Sequence, residues 1–136
     1  MANELDTTVG LFFEAGRKIK RCIDRERGPL SLTQSEVLRF VEEHKSPTMR
    51  DIAQHLQITA PSATSLIAEM VAQAYLTRKN NPQDRREVHL LLTTVGKEKL
   101  AATTAIRKKS LRTLLSHLTA EDRADLRRIL LQITEA

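Results

Sequence analysis

The segment from Arg78 to Thr93, RKNNPQDRREVHLLLT, sets four cations, Arg78, Lys79, Arg85 and Arg86, against two carboxylates, Asp84 and Glu87, in a chain with only four glycines and four prolines. An arginine guanidinium is a planar fork of donors that matches phosphate oxygens two at a time, and it stays charged at any physiological pH. The chemistry on offer is therefore anion binding. Asp84, two residues before Arg86, is placed to pair with the Arg86 guanidinium and limit its rotamers. Other chemistry finds no support in the residue spacing. His44, His55, His89 and His117 are scattered, and none has a cysteine or second histidine one helical turn away, so no metal site is expected. There is no glycine-rich phosphate loop and no nucleophile motif built from Ser, His and Asp. The expectation is a non-enzyme without a cofactor.

The elements that must carry this segment follow from periodicity. From Thr8 to about Arg27, apolar residues fall at Val9, Phe12, Ile19, Cys22 and Ile23, near helical spacing, and the RGP of Arg27 to Pro29 stops the helix. A second helix is expected to be capped by Thr33 and Glu36, with Val37, Leu38 and Val41 facing inward. A short helix follows with Thr48 as cap, Asp51 three residues on, and Ile52 and Leu56 buried. Thr59 caps the next, with Pro61 in its first turn and Leu66, Ile67, Met70 and Val71 as its inner stripe. Two short helices joined by a tight turn make a helix-turn-helix. The period then changes to strand-like runs, Tyr75 to Lys79 and Glu87 to Thr93, around the turn-forming NNPQDRR, which predicts a hairpin with a basic tip. Thr94 to about Leu118 predicts a helix of roughly 37 Å, and Thr119 with Asp122 caps a last one bearing Leu126, Ile129, Leu130 and Ile133.

The totals agree. At 136 residues, 40% of them hydrophobic, the chain is long enough for one domain with a modest core, and aromatic residues at 3% leave that core to Leu, Ile, Val, Ala and Met, which favours helices. No apolar run is long enough to span a membrane, the N-terminus lacks the order of a signal peptide, and the lone Cys22 excludes an internal disulfide, so a cytoplasmic location is expected. The net charge of +5 is uneven: residues 96–136 carry nine Lys/Arg against five Asp/Glu, residues 31–95 seven against seven. The Arg78 to Arg86 cluster is a basic patch inside a neutral stretch.

With the hairpin placed after a helix-turn-helix, the run DRREVHLLLTTVG becomes specific. Asp84, Arg86, Leu92, Thr93 and Gly96 resemble the wing signature of the MarR family of winged helix-turn-helix regulators, and the resemblance extends to LTQSEVL at Leu32 to Leu38. It implies a mainly α fold with a small β-hairpin wing, a winged helix-turn-helix with N- and C-terminal dimerisation helices. The division expected is a single domain, 1–136, with residues 31–95 as the DNA-binding region and 1–30 and 96–136 as the helical dimerisation region. Arg86 at the wing tip suits the minor groove of double-stranded DNA, with Arg78, Lys79 and Arg85 on phosphates. Ser62, Thr64 and Ser65, near the start of the second motif helix, suit base edges, and Arg50 a phosphate. The family often carries a basic residue near Ala68 or Glu69; this chain does not. Cys22 lies in the second half of its helix, away from the thiol position of oxidant-sensing relatives, so apolar packing is its expected role.

The long helix exposes Leu111, Leu114, Leu115 and Leu118 at an end that one copy cannot easily cover, which predicts a homodimer. The resemblance further implies a repressor of a pseudo-palindromic operator, relieved by a small-molecule effector, and the apolar faces of the first, second and long fifth helices, Phe12, Phe13, Val37, Leu38 and Leu100, are expected to line the crevice that takes it. The alternative is a winged-helix module that binds a protein partner without sequence-specific DNA binding, which the neutral middle and Glu69 favour.

Overall fold

The computed structural model describes residues 3–26 and 28–136. They divide into two compact units, residues 28–105 and residues 3–26 with 106–136. Among the described residues no helix is long and apolar enough to cross a membrane.

The second unit is built from α1 (Glu4–Arg25), the end of α5 (Thr94–Leu115) and α6 (Ala120–Thr134). Helix α1 starts four residues before the expected Thr8, because the Asn3 side chain accepts from the Leu5 and Asp6 amides and so caps the helix earlier. Its expected end at Arg27 lies outside the described residues. Helix α5 has 22 residues, about 33 Å, and stops short of Leu118. There the Leu118 amide bonds back to Leu115, three residues away, and the chain tightens into a turn. Thr119 then caps α6 through the Asp122 amide, as its spacing predicts.

The other unit contains α2 (Leu32–His44), α3 (Met49–Leu56), α4 (Ala60–Ala72), β1 (Leu76–Asn80), β2 (Val88–Leu92) and the start of α5. Thr48 and Asp51 form the expected capping box of α3, and Thr59 caps α4 with a proline in its first turn. The cap of α2 lies two residues earlier than expected. Ser31 and Gln34 satisfy each other's backbone amides at 3.1 and 3.0 Å, which leaves Thr33 inside the helix and releases Glu36 for other partners. Between α3 and α4, Gln57 adopts a left-handed conformation (φ 55°) and its amide closes on the last carbonyls of α3, making the tight turn of the motif.

The two strands pair antiparallel from Leu76 opposite Leu92 to Asn80 opposite Val88. On the far edge of β2, an isolated bridge joins Thr48 to His89, and the Leu90 amide donates to the Pro47 carbonyl at 2.9 Å. The hairpin is thus tied to the turn before α3. Beneath it lies one core: Val37, Leu38 and Val41 from α2, Ile52 from α3, Ile67 and Met70 from α4, Leu76 and Leu90 from the hairpin, and Leu100 from α5. Each such side chain contributes about 1.5–3 kcal/mol by leaving water.

The Leu-Thr-x-x-Gly end of the wing signature acts as a clasp. The Thr93 hydroxyl reaches the Ala74 and Tyr75 carbonyls at 2.6 and 3.1 Å and accepts the Gly96 amide at 2.9 Å, while the Thr93 amide donates to Tyr75. One residue therefore joins the exit of the hairpin, the turn after α4 and the start of α5. Gly96 is required by contact: a Cβ there would overlap the Tyr75 carbonyl oxygen.

Candidate nucleic-acid interface

An open cleft of about 570 Å³ runs between the hairpin and the helix-turn-helix. Thr48, Met49 and Arg50 at the start of α3 form one wall, Thr64 projects from α4, and Arg78, Asp84, Arg86, Glu87 and Val88 come from the hairpin. Five of the expected site residues, Arg50, Thr64, Arg78, Asp84 and Arg86, are thus gathered around one space. Ser62, Ser65, Lys79 and Arg85 do not line it, although all four are exposed. Lys79 stands opposite His89 in the strand register, and Arg85 sits in the hairpin tip. Among the described residues, Arg50, Arg78 and Arg86 are held in no ion pair. Three guanidinium groups held in no ion pair, against the Asp84 and Glu87 carboxylates of the same lining, make this cleft a candidate site for a polyanion.

The role expected of Asp84 needs correction. Its carboxylate does not pair with the Arg86 guanidinium; it accepts the Arg86 backbone amide at 2.9 Å, while its carbonyl accepts the Glu87 amide at 3.2 Å. Two residues of separation in a turn bring a carboxylate onto a main-chain N–H more readily than onto the far end of a long side chain. Asp84 shapes the tip, and the guanidinium is left free.

The exposed face of α4 presents Ser62, Thr64, Ser65, Ala68 and Glu69. Thr64 donates its hydroxyl to the Ala60 carbonyl at 2.9 Å, and Ser62 accepts from the Thr59 hydroxyl at 2.9 Å. Thr64 therefore offers acceptor lone pairs and a methyl group, and Ser62 a donor. No cation lies on this face.

Behind the site, α2 and α3 are locked by a cluster that the spacing of the residues does not reveal. The His55 ring bonds Glu36 at 2.7 Å, Arg39 also pairs with Glu36 and bridges to Glu43 at 2.9 Å, and Phe40 is stacked between His44 and His55 at 4.0 and 4.3 Å. The hydrogen bond from His55, opposed by partial burial and helped by Arg39, holds the Glu36 carboxyl below its ordinary value. Among the described residues, no three His, Cys, Asp or Glu side chains are placed to hold a metal.

The residues expected to line a ligand crevice differ in burial. Val37 and Leu38 are sealed in the core at 0% exposure and Leu100 is 8% exposed, so these three present almost no wall to a ligand; Phe12 and Phe13 on α1 are 64% and 63% exposed. The correction has a simple cause, since an apolar helical stripe looks the same whether it closes a core or borders a cavity.

Over 112 residues the chain is 31% identical to the HTH-type transcriptional repressor MdtR of Bacillus subtilis, an alignment that covers 82% of this chain and 72% of that protein. The MarR family model matches residues 29–87. The chain belongs to the MarR family. Across the whole fold it is similar to a mutant MarR from E. coli, at a TM-score of 0.81 and 22% identity, with 91% of this chain and 93% of that one covered. It is also similar to MepR of S. aureus in a complex with DNA, at a TM-score of 0.69 and 26% identity, covering 93% and 96%. As a MarR-family protein it is a DNA-binding transcriptional regulator and not an enzyme, and the interaction-module alternative is set aside.

Proposed function

We propose that the chain works as a homodimer whose two clefts grip a pseudo-palindromic operator, that it represses transcription from that site, and that a small ligand releases it. The observation that carries this proposal is the gathering of Arg50, Arg78 and Arg86 with Thr64 around one cleft. Arg86 at the hairpin tip is placed to enter a minor groove, with Arg78, Lys79, Arg85 and Arg50 on the flanking phosphates. Ser62, Thr64 and Ser65 then face base edges in the major groove, where hydroxyl and methyl groups distinguish adenine–thymine from guanine–cytosine pairs.

Dimerisation is supported by apolar surface that a single copy leaves in water. Leu5, Leu11, Phe12 and Phe13 on α1 and Leu130, Leu131 and Ile133 on α6 are all 47% to 66% exposed. Isolated exposed leucines are ordinary, but this concentration in one unit marks an interaction surface. Repression accords with the relative MdtR, itself named a repressor. Release by a ligand rests on the family resemblance, with Phe12 and Phe13 as the open apolar positions.

Selection of bound sites from a random duplex library, followed by sedimentation of the complex, tests the proposal. The expected result is a twofold-symmetric site with half-sites about 34 Å apart and two protein chains per duplex. Asymmetric sites bound by one chain would overturn it.

A further inference from the structure

His89 faces two acceptors at once. Its Nδ1 lies 2.7 Å from the Ser46 carbonyl oxygen, and its Nε2 lies 3.3 Å from a Glu87 carboxylate oxygen. A carbonyl and a carboxylate have no proton to give, and a neutral imidazole has one N–H. Only the imidazolium donates to both. Ser46 belongs to the turn between α2 and α3, whose Lys45 and Ser46 both take left-handed conformations (φ 45° and 62°). Glu87 belongs to the hairpin tip. The same Glu87 oxygen accepts from the Asn81 side-chain Nδ2 at 3.1 Å, and the Asn81 side-chain Oδ1 accepts the Gln83 amide at 3.0 Å. A continuous chain of hydrogen bonds thus runs from Ser46 through His89, Glu87 and Asn81 to the tip that carries Arg85 and Arg86.

We propose that His89, as an imidazolium, is a positioning residue that moors the wing tip to the turn between α2 and α3, so that the grip of the wing on DNA weakens as pH rises. The neutral ring retains one bond, the shorter one to Ser46, and turns a bare nitrogen lone pair toward the Glu87 carboxylate. The Glu87 carboxylate is then repelled, and with it goes the fixed acceptor of the Asn81 side chain, so the tip that carries Arg86 is left to its backbone bonds and Asp84.

The surrounding charges favour the cation on balance. Hydrogen bonding to the Ser46 carbonyl, opposed by burial and assisted by Glu87 and by Asp51 of α3, lifts His89 above its ordinary 6.5. The cations nearest in the chain and register are Lys79, opposite on β1, and Lys45, beside Ser46, whose sign opposes it. His44 and His55, which line a cavity with Ser46 and Asp51, are the other ionisable rings near this turn. Because the folded value is raised, the mooring is complete below 6.5 and is lost as pH rises through the folded value.

The weakening of DNA binding rests on the proposed wing contact; the mooring does not. The experiment has an arm for each. In the DNA-free protein, NMR should show the His89 ring titrating above 6.5, Glu87→Gln should lower that midpoint, and the amides of residues 83–87 should lose order as pH rises through it. In His89→Gln those amides should be mobile at every pH while helicity is retained. A ring that titrates at or below 6.5, or a tip whose order ignores the titration, overturns the mooring. For DNA, the probe is a duplex selected from a random library by the parent protein at about pH 6, on the acid side of an ordinary histidine. Parent affinity should fall with pH by up to about tenfold per unit for each wing on the duplex, the limit for one proton per His89. His89→Gln should give a flat profile, and His44→Gln and His55→Gln the parental one. A parental slope in His89→Gln overturns the coupling to DNA. Failure to select any duplex would sink the wing-contact proposal instead, with the ring and tip amides still deciding the mooring.

Discussion

Gly96→Ala tests the clasp between wing and helix, and two opposing effects set its outcome. Alanine in a helix is favoured over glycine by about 1 kcal/mol, because glycine loses more backbone freedom on folding. Against this, the added methyl would overlap the Tyr75 carbonyl oxygen and crowd the Leu92 side chain at 3.3 Å. The first contact is with main chain, so no rotamer change relieves it; α5 must retreat from the turn after α4. Retreat strains the Thr93 hydroxyl, which holds the Ala74 and Tyr75 carbonyls and the Gly96 amide. Overpacking of this kind costs about 1–3 kcal/mol, and a weakened cap adds about 1. Subtracting the propensity gain leaves a net destabilisation of roughly 1–3 kcal/mol. Urea unfolding followed by circular dichroism, at matched protein concentrations so that any self-association is the same, measures it. An alanine variant as stable as the parent, or more so, would show that the close approach is not a constraint and would refute the clasp.

Three further outcomes are expected. Arg86→Ala should weaken binding to a selected duplex by about 1–3 kcal/mol without altering the oligomeric state, while Arg85→Ala should mainly reduce the slope of log affinity against log salt by about one; fluorescence anisotropy across a salt series separates the two. Glu36 has its carboxyl held low in the folded protein, so the stability it adds is present above its ordinary 4.5 and fades as pH falls through the lowered value. Acid titrations of Glu36→Gln should lose that part of the parental pH dependence, worth less than about 1 kcal/mol for so exposed a pair. Replacing both Phe12 and Phe13 by aspartate should leave the helicity and shift sedimentation from dimer to monomer; a persistent dimer would place the interface elsewhere.

What could be read from the sequence was what local chemistry decides. Thr48, Thr59 and Thr119 are legible as caps because the amides they serve lie three residues on, in the helix they open. The start of α2 was misplaced because Ser31 with Gln34 and Thr33 with Glu36 offer the same pattern, and the choice is biased by His55, 19 residues beyond Glu36, which claims that carboxylate. The sequence points to Asp84 and Arg86 as a pair, but spacing alone cannot tell a backbone amide from a guanidinium as the carboxylate's partner. His89 looked like one of four unrelated histidines, since its partner Ser46 lies 43 residues away, across the bridge to Thr48.

The exposed face of α4 bears hydroxyls, methyls and the Glu69 carboxylate, while the cations lie on the wing and at Arg50. Sliding along arbitrary DNA depends on counterion release, to which a helix without cations adds nothing. Search and arrest are then divided between two parts of the same head. In the proposed docking, the wing and Arg50 would set how long the protein stays near any duplex, and α4, repelled by phosphates through Glu69, would lengthen the stay only where base edges answer its hydroxyls. Such a head gives short residence at wrong sites, and its discrimination lies in the rate of departure.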